Sequence, residues 1–363
     1  MSKHLVVCIS AHGFGHIGQA APVVNELRRR FPDLLVTVRS SAPVFKLRER
    51  FGVDTRIHSV PTDIGVIQAN AVEVLHQETA LAYARFHQDW AERVDDEAKA
   101  LEALRPDLLL SNVPYLPLAG ARRAGIPAVA MCSLNWGDIY AHYFRTTRSE
   151  AAAILEQIYA AYDAADVFLQ PEPSMPMPAL NRHRPIGPLA ELGRSRRVEL
   201  LDRLGLSATG RVVLVSLGGM ELRLPVEDWA LPSWVRFVVP GSWGVRHPQV
   251  VHLEDLSMPY LDVLRSCDGL VTKPGYGSFV EAACAGVAIV YLERPDWPEA
   301  PYLTTWLQAH ARCRPASQES LRRGDIVSLL EQAWQEPPMP APTPSGVDMA
   351  ATYLTQRLFS GSD

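Results

Sequence analysis

Leu5-Val6-Val7-Cys8-Ile9, followed after a short turn by His12-Gly13-Phe14-Gly15-His16, decides the fold. An unbroken apolar run of this length marks a strand buried on both faces of a parallel sheet, and a glycine-rich turn directly after it leads such a strand into a helix. Beyond the turn, Val23, Val24, Leu27 and Phe31 recur at helical spacing across residues 20–31. Pro22 is tolerable there because it falls in the first turn of the expected helix.

Working outward, the same unit repeats. Residues 34–38 read as the next strand, 76–104 as one long or broken helix, and 108–110 and 128–131 as further strands. This alternation specifies an α/β class with an open, doubly wound parallel sheet. Prolines at 171, 173, 176, 178, 185 and 188 then reach a density that no helix or central strand accommodates, so residues 173–190 are expected to form a linker. After it the pattern restarts, with strands at 212–216, 235–239, 270–272 and 288–292 and helices at 259–265 and 278–285. The chain therefore reads as two tandem Rossmann-like domains, 1–172 and 191–345. Past the Pro-rich stretch 337–344, a helical pattern at 347–359 is expected to cross back as helix 346–360 and complete the first domain. Two such domains leave a central cleft at the carboxyl ends of both sheets, where ligands bind in folds of this kind.

Composition narrows the class. In a chain of 363 residues, 47% hydrophobic and 21% charged residues give the balance of a globular protein rather than a disordered or membrane-spanning one. No apolar run approaches the roughly 20 residues needed to cross a bilayer, and the first apolar stretch is too short for a signal peptide. A cytoplasmic location is the expectation, with no transmembrane segment and with peripheral membrane contact left open. The five cysteines are odd in number and far apart, which suggests neither a disulfide framework nor a metal site. A net charge of −5 supplies no general attraction for nucleic acid, and the arginines at 194, 196 and 197 read as a solvated surface.

The strongest local motif is Lys273-Pro274-Gly275-Tyr276-Gly277-Ser278-Phe279-Val280-Glu281, because it follows an expected strand and opens an expected helix. Gly275 and Gly277 let the backbone approach a ligand, Ser278 can cap the helix, and the free amides of the first turn suit a diphosphate. Lys273 adds charge, and the carboxylate of Glu281 can accept hydrogen bonds from ribose hydroxyls. The same glycines also serve a plain tight turn, with Glu281 merely favouring a helix N-terminus. A second turn, Gly218-Gly219, ends the first strand of the second domain and suits the other side of the same diphosphate, or again only a turn.

The loop carrying His12, Phe14 and His16 begins like a dinucleotide fingerprint but places histidines where phosphate-binding loops usually have small residues. An imidazole at a strand end can take a proton from an attacking hydroxyl, whereas His12 suits a turn cap. Residues 63–70, including Gln68 and Asn70, and the stretch with Asn135, Trp136 and Tyr140 mix polar and aromatic residues suited to an acceptor. No Asp-x-Asp occurs and no ligand set has metal spacing, so no metal is expected and no cofactor beyond a nucleotide-sugar co-substrate.

Together these segments resemble the GT-B glycosyltransferases, in particular the group of the lipid II-forming N-acetylglucosaminyltransferase. They are similar over most of the chain to the glycosyltransferase-like N-terminal domain of plant L-arabinokinases. The likeness runs through the His12 to His16 loop, Gly65-Val66-Ile67-Gln68-Ala69-Asn70, Asn135-Trp136-Gly137-Asp138-Ile139-Tyr140, Met177-Pro178-Ala179, Gly218-Gly219, Gly275-Tyr276-Gly277, and Arg294-Pro295-Asp296 leading to Glu299. The resemblance implies a nucleotide-sugar donor, UDP as its carrier, and an unidentified acceptor. It implies that Glu281 holds the donor ribose, Gly277 and Ser278 the diphosphate, Leu253 the base, and Glu299 with the Asp296 segment the sugar hydroxyls. It also implies His16 as general base. Relatives pair that histidine with an aspartate where this chain has Asn112, so either Asp63 or Asp138 substitutes or His16 is not the base. A non-hydrolysing nucleotide-sugar epimerase and a non-catalytic sensor of the same fold remain the rival readings.

Overall fold

The computed structural model describes residues 2–70, 73–218 and 222–359. They form two compact units. The first gathers the chain up to Ala69, Glu73–Leu189 and the stretch from Ser345 onward, and the second groups Asn70 with Ala190–Pro344.

In the first unit the chain runs β1 (His4–Ile9), α1 (Gly15–Arg30), β2 (Leu35–Arg39), α2 (Val44–Phe51), β3 (Arg56–His58), α3 (His76–Gln88), α4 (Trp90–Leu104), β4 (Leu108–Asn112), α5 (Leu116–Arg123), β5 (Ala128–Met131), α6 (Trp136–Phe144), α7 (Ala151–Tyr162), β6 (Val167–Pro171) and β7 (His183–Ile186). The strands form one parallel sheet in the order β3-β2-β1-β4-β5-β6-β7. Every residue of β1 and β4 is buried, as their continuous apolar runs require of strands covered on both faces.

The second unit continues with α8 (Arg197–Arg203), β8 (Arg211–Val215), β9 (Val235–Val239), β10 (Val250–His252), α9 (Tyr260–Ser266), β11 (Gly269–Thr272), α10 (Tyr276–Ala285), β12 (Ala288–Leu292), α11 (Ala300–His310), β13 (Cys313–Ala316), α12 (Gln318–Arg323) and α13 (Ile326–Gln335). Its sheet is also parallel, in the order β10-β9-β8-β11-β12-β13. Val213, Phe237, Val271 and Val290 pack with Trp229 and Leu330 in its core. The chain then returns to the first unit as α14 (Gly346–Phe359), which lies along α1: Arg30 reaches Asp348 at 2.6 Å and the Phe31 and Phe359 rings stand 4.7 Å apart.

Both sheets have the doubly wound strand order expected from the alternation. Two local expectations change. The first helix begins at Gly15, five residues before its apolar periodicity, so Pro22 sits in its interior. The strand end and the turn at Gly13, with φ +78°, set that start, and the first helical turn carries Gly15, His16 and Gly18 beside a single buried aliphatic residue, Ile17. The pattern at 76–104, read as one long or broken helix, takes the broken form, two helices meeting at Asp89. The proline-rich stretch read as linker contains β7, an edge strand beside β6, where Pro185 need not donate to an inner neighbour.

One buried hydroxyl ties this unit together. Tyr162 Oη accepts from the Trp136 amide at 3.0 Å and donates to the Val113 carbonyl at 2.7 Å, at a residue with φ +74°. Tyr162→Phe leaves both backbone groups unsatisfied, so the unfolding free energy is expected to fall by about 1–3 kcal/mol in denaturant melts. An unchanged midpoint would show that neither group depends on the hydroxyl.

Candidate active site

In the first sheet the strand order reverses between β1 and β4, the position where doubly wound folds open a crevice. Their register sets Ile9 opposite Asn112, so the two strands end level. One step past β1, the first turn of α1 brings His16 over that edge, and His16 Nδ1 lies 3.0 Å from Asn112 Oδ1. Cys132 Sγ is 3.7 Å from the same nitrogen. Asn112 Nδ2 donates to Gln19 Oε1 at 3.2 Å, and Gln19 Nε2 donates to Ser133 Oγ at 2.9 Å. All of these side chains are buried. Burial lowers the His16 pKa to about 4, against the opposing hydrogen bond to Asn112.

Asp63 stands beside this group. Ser10 Oγ donates to its Oδ1 at 3.1 Å and Trp136 Nε1 to its Oδ2 at 2.6 Å. Burial raises it to about 6, with both hydrogen bonds pulling the other way. The Trp136 ring meets His12 edge-on at 5.2 Å and His16 at 5.9 Å. Gly65, with φ +63°, lets its loop close on the imidazole of His12: a Cβ there would fall 3.0 Å from His12 Cβ. Gln68 pairs through its backbone with Val74, and Tyr140 is buried with its ring 4.6 Å from that of Tyr83. Phe14 lies under Lys46 Nζ at 5.7 Å.

Two predicted residues sit differently. Asn135 caps α6 by accepting from the Asp138 amide at 2.8 Å, while Asp138 Oδ2 accepts from Asn135 Nδ2 at 2.8 Å and its Oδ1 from Tyr159 Oη at 2.6 Å. Both Asp138 oxygens are thus engaged at the helix start, and the partner of His16 is Asn112. Asn70 falls outside the first unit.

The second sheet reverses between β8 and β11, whose register sets Val215 opposite Val271. The loops after these strands carry Gly218 and Lys273, and a Cβ on Gly218, whose φ is +78°, would lie 3.7 Å from Lys273 Cε. Gly219 lies outside the described residues. The helix after β11 starts at Tyr276 with Gly275 at its cap, so Ser278 is its third residue and caps nothing. Gly275 itself is extended, at φ −168°, so its value is open space: a Cβ there would meet only the Lys273 carbonyl, at 3.9 Å. Tyr276 and Gly277 are buried in the first turn, and Glu281 is buried in the second.

After β12, Arg294 and Glu299 are buried and Asp296 is exposed. The Arg294 guanidinium lies 4.4 Å from the centroid of the Trp297 ring, and Trp297 Nε1 donates to Glu299 Oε2 at 3.1 Å. Burial first, then the charge of Arg294, push Lys273 down to about 8, against the pull of Glu299. Leu253 opens the turn that follows β10 at the sheet edge. Among the described residues no three His, Cys, Asp or Glu side chains are grouped to hold a metal ion, and no helix is long and apolar enough to cross a membrane.

Sequence reasoning did not single out Gln19, Ser133 or Ser10, and quoted Arg294 without giving it a role. Gln19 carried a signal, since it lies one turn beyond His16 and is polar where Ala20, Val23 and Val24 make the helix face apolar. Arg294 lies two residues past the carboxyl end of an apolar strand, and only the tertiary fold shows which cation it neighbours.

The His16 assignment has a direct consequence. Between about pH 4 and 6.5 the folded state binds fewer protons at this residue than the unfolded chain, so stability attached to it is lost as pH falls through that window. His87, lowered to about 4 mainly by burial, acts in the same direction, while Asp63 opposes both between its usual value and about 6. In an NMR titration the His16 ring resonances should stay at their neutral positions until pH approaches 4. A midpoint near 6.5 would contradict the burial described here.

No protein-family model matches the chain. L-arabinokinase of Arabidopsis thaliana is 26% identical over 368 residues, spanning 98% of this chain and 34% of that protein. The chain thus spans about a third of the length of this curated relative. Among solved structures, the glycosyltransferase SnogD from Streptomyces nogalater aligns with a TM-score of 0.60 at 17% identity, covering 98% of this chain and all of the other. A Listeria monocytogenes protein described as a UDP-N-acetylglucosamine 2-epimerase aligns at 0.56 with 13% identity, covering 100% and 98%. The fold is GT-B, two parallel Rossmann-like sheets of seven and six strands.

Proposed function

We propose that the chain is a glycosyltransferase that moves a sugar from a nucleoside diphosphate sugar, with UDP as carrier, to the hydroxyl of an acceptor. The observation that carries this reading is the start of α10. The first turn of α10, Lys273 and the buried Arg294 gather at the switch point of the second sheet, and the charge of Arg294 is felt at Lys273. Two cations placed this way outweigh the single carboxylate of Glu299 and suit a dianionic ligand. Glu281 would hold the ribose, Leu253 the base, and Glu299 the sugar hydroxyls. A buried carboxylate is well suited to accept from hydroxyls, which replace the water it has lost.

In the reaction proposed, the acceptor oxygen attacks the anomeric carbon while the bond from that carbon to the diphosphate breaks. A single in-line displacement inverts the configuration. The proton of the attacking hydroxyl passes to Nε2 of His16, and the charge on the departing diphosphate is taken up by the amides, Lys273 and Arg294, so no divalent cation is required. A buried imidazole with a pKa near 4 is unprotonated throughout the neutral range but is a weak base. It therefore suits a late proton transfer, after bond formation has made the hydroxyl strongly acidic. Asp63, Trp136, Tyr140 and His12 would orient the acceptor.

Kinship of fold with the Listeria protein favours one rival, sugar epimerisation. Incubation with donor alone separates the two, because an epimerase changes the sugar with no acceptor present.

A thermal-shift panel of nucleotide sugars tests the proposal. A true donor at about 100 times its Kd stabilises the native state by about 2.7 kcal/mol, and the shift should persist in EDTA. Glu281→Gln should weaken that donor by about tenfold or more, the weight of a hydrogen bond to a charged group. His16→Ala should leave donor affinity unchanged while turnover drops by about 10²–10⁴. If no nucleotide sugar shifts the melt, the reading is wrong.

A further inference from the structure

His16 Nδ1 faces an amide rather than a carboxylate, and an amide has two ends. A carboxylate offers oxygen in either orientation, whereas Asn112 offers His16 an acceptor one way round and a donor the other. The choice decides which imidazole nitrogen keeps its lone pair. If Nδ1 carries the proton, Nε2 is an acceptor and His16 can take a proton from a ligand. If the amide is reversed, Nε2 carries hydrogen and cannot.

The side chains behind Asn112 make that choice. Gln19 Oε1 lies 3.2 Å from Asn112 Nδ2 and accepts from it, which turns Asn112 Oδ1 toward His16. Gln19 is in turn held by Ser133, whose Oγ accepts from Gln19 Nε2 at 2.9 Å. Each link is buried, so water does not compete for the donors, and with Ser133 Oγ accepting, reversing either amide alone would set like groups against each other at the Asn112–Gln19 contact. Three elements supply the links: α1 gives His16 and Gln19, β4 gives Asn112, and the segment after β5 gives Ser133.

We propose that Gln19, anchored by Ser133, is a positioning residue that fixes the orientation of Asn112 and thereby holds His16 as the Nδ1–H tautomer with Nε2 as the proton-accepting atom. Its importance for turnover rests on the reading of His16 as the base; the tautomer itself does not. The relay replaces, with two neutral amides and a hydroxyl, the orienting half of what a carboxylate does for a histidine. The other half, stabilising an imidazolium, it does not supply, in keeping with the low pKa of His16.

The test needs no substrate. Two-bond nitrogen–proton correlation spectra at neutral pH, with His16 assigned by comparison with His16→Gln, should show a pyrrole-type Nδ1 and a pyridine-type Nε2 in the wild-type chain. Gln19→Glu provides the conservative control, because an ionised carboxylate can only accept from Asn112 and so must preserve the tautomer. Gln19→Leu removes the acceptor and should reduce the preference by roughly tenfold, the weight of one net hydrogen bond. A pyridine-type Nδ1 in the wild type, loss of the signature in Gln19→Glu, or an unchanged preference in Gln19→Leu would each overturn the proposal. The wild-type spectrum decides even if Gln19→Leu does not fold. Failure of sugar transfer would leave these spectra unaffected, so the two ideas fail separately.

Discussion

The register of two pairs of parallel strands is the constraint on which everything else rests. Pairing β1 with β4 so that Ile9 stands opposite Asn112 brings the turn after one strand level with the last residue of the other, and His16 meets Asn112 as a result. Pairing β8 with β11 so that Val215 stands opposite Val271 does the same for Gly218 and Lys273. A slip of one residue in either pair would turn the polar residue at the strand end to the opposite face and leave a buried group without its partner. The long apolar runs of these strands make such a slip costly, because both faces are already covered.

The two sites so made differ in electrostatic character. At the first, a neutral imidazole, two amides and a hydroxyl form a buried network with no net charge, and the adjacent carboxylate of Asp63 is itself raised toward neutrality. At the second, Lys273 and Arg294 lie near each other with one carboxylate, and burial lowers the lysine. A neutral site suits the handling of a proton, and a cationic one suits holding an anion. Trp136 gives the first site its rigidity: its amide is held by Tyr162, its indole nitrogen by Asp63, and its ring by the two histidines.

Much of this was legible in the chain. The apolar runs at 5–9, 212–216 and 270–272 and the glycine-bearing turns after them implied doubly wound sheets, since strands buried on both faces leave little other choice. The start of α1 was not legible, because Gly15 to Gln19 carry no helical periodicity; Ile17 faces the core there, while His16 and Gln19 belong to the site. The strand β7 was hidden by its prolines, which an edge position tolerates. Asn112 could be suspected as the partner of His16, and Gln19 left only its polarity one turn beyond His16 as a sign, but Ser133 left none, because a relay built from three separated segments leaves no mark in local spacing. Ser278 resembled a cap because serine so often is one, whereas the extended residue Gly275 takes that place here.

The account stands or falls on whether the buried imidazole of His16 receives the proton. The pH dependence of kcat/KM for sugar transfer, taken from pH 3.5 to 8 with folding monitored in parallel, measures this directly. With His16 as the acceptor the rate should be flat across the neutral range and fall on an acid limb near 4. An acid limb near 6 would instead assign the role to Asp63 and contradict the account.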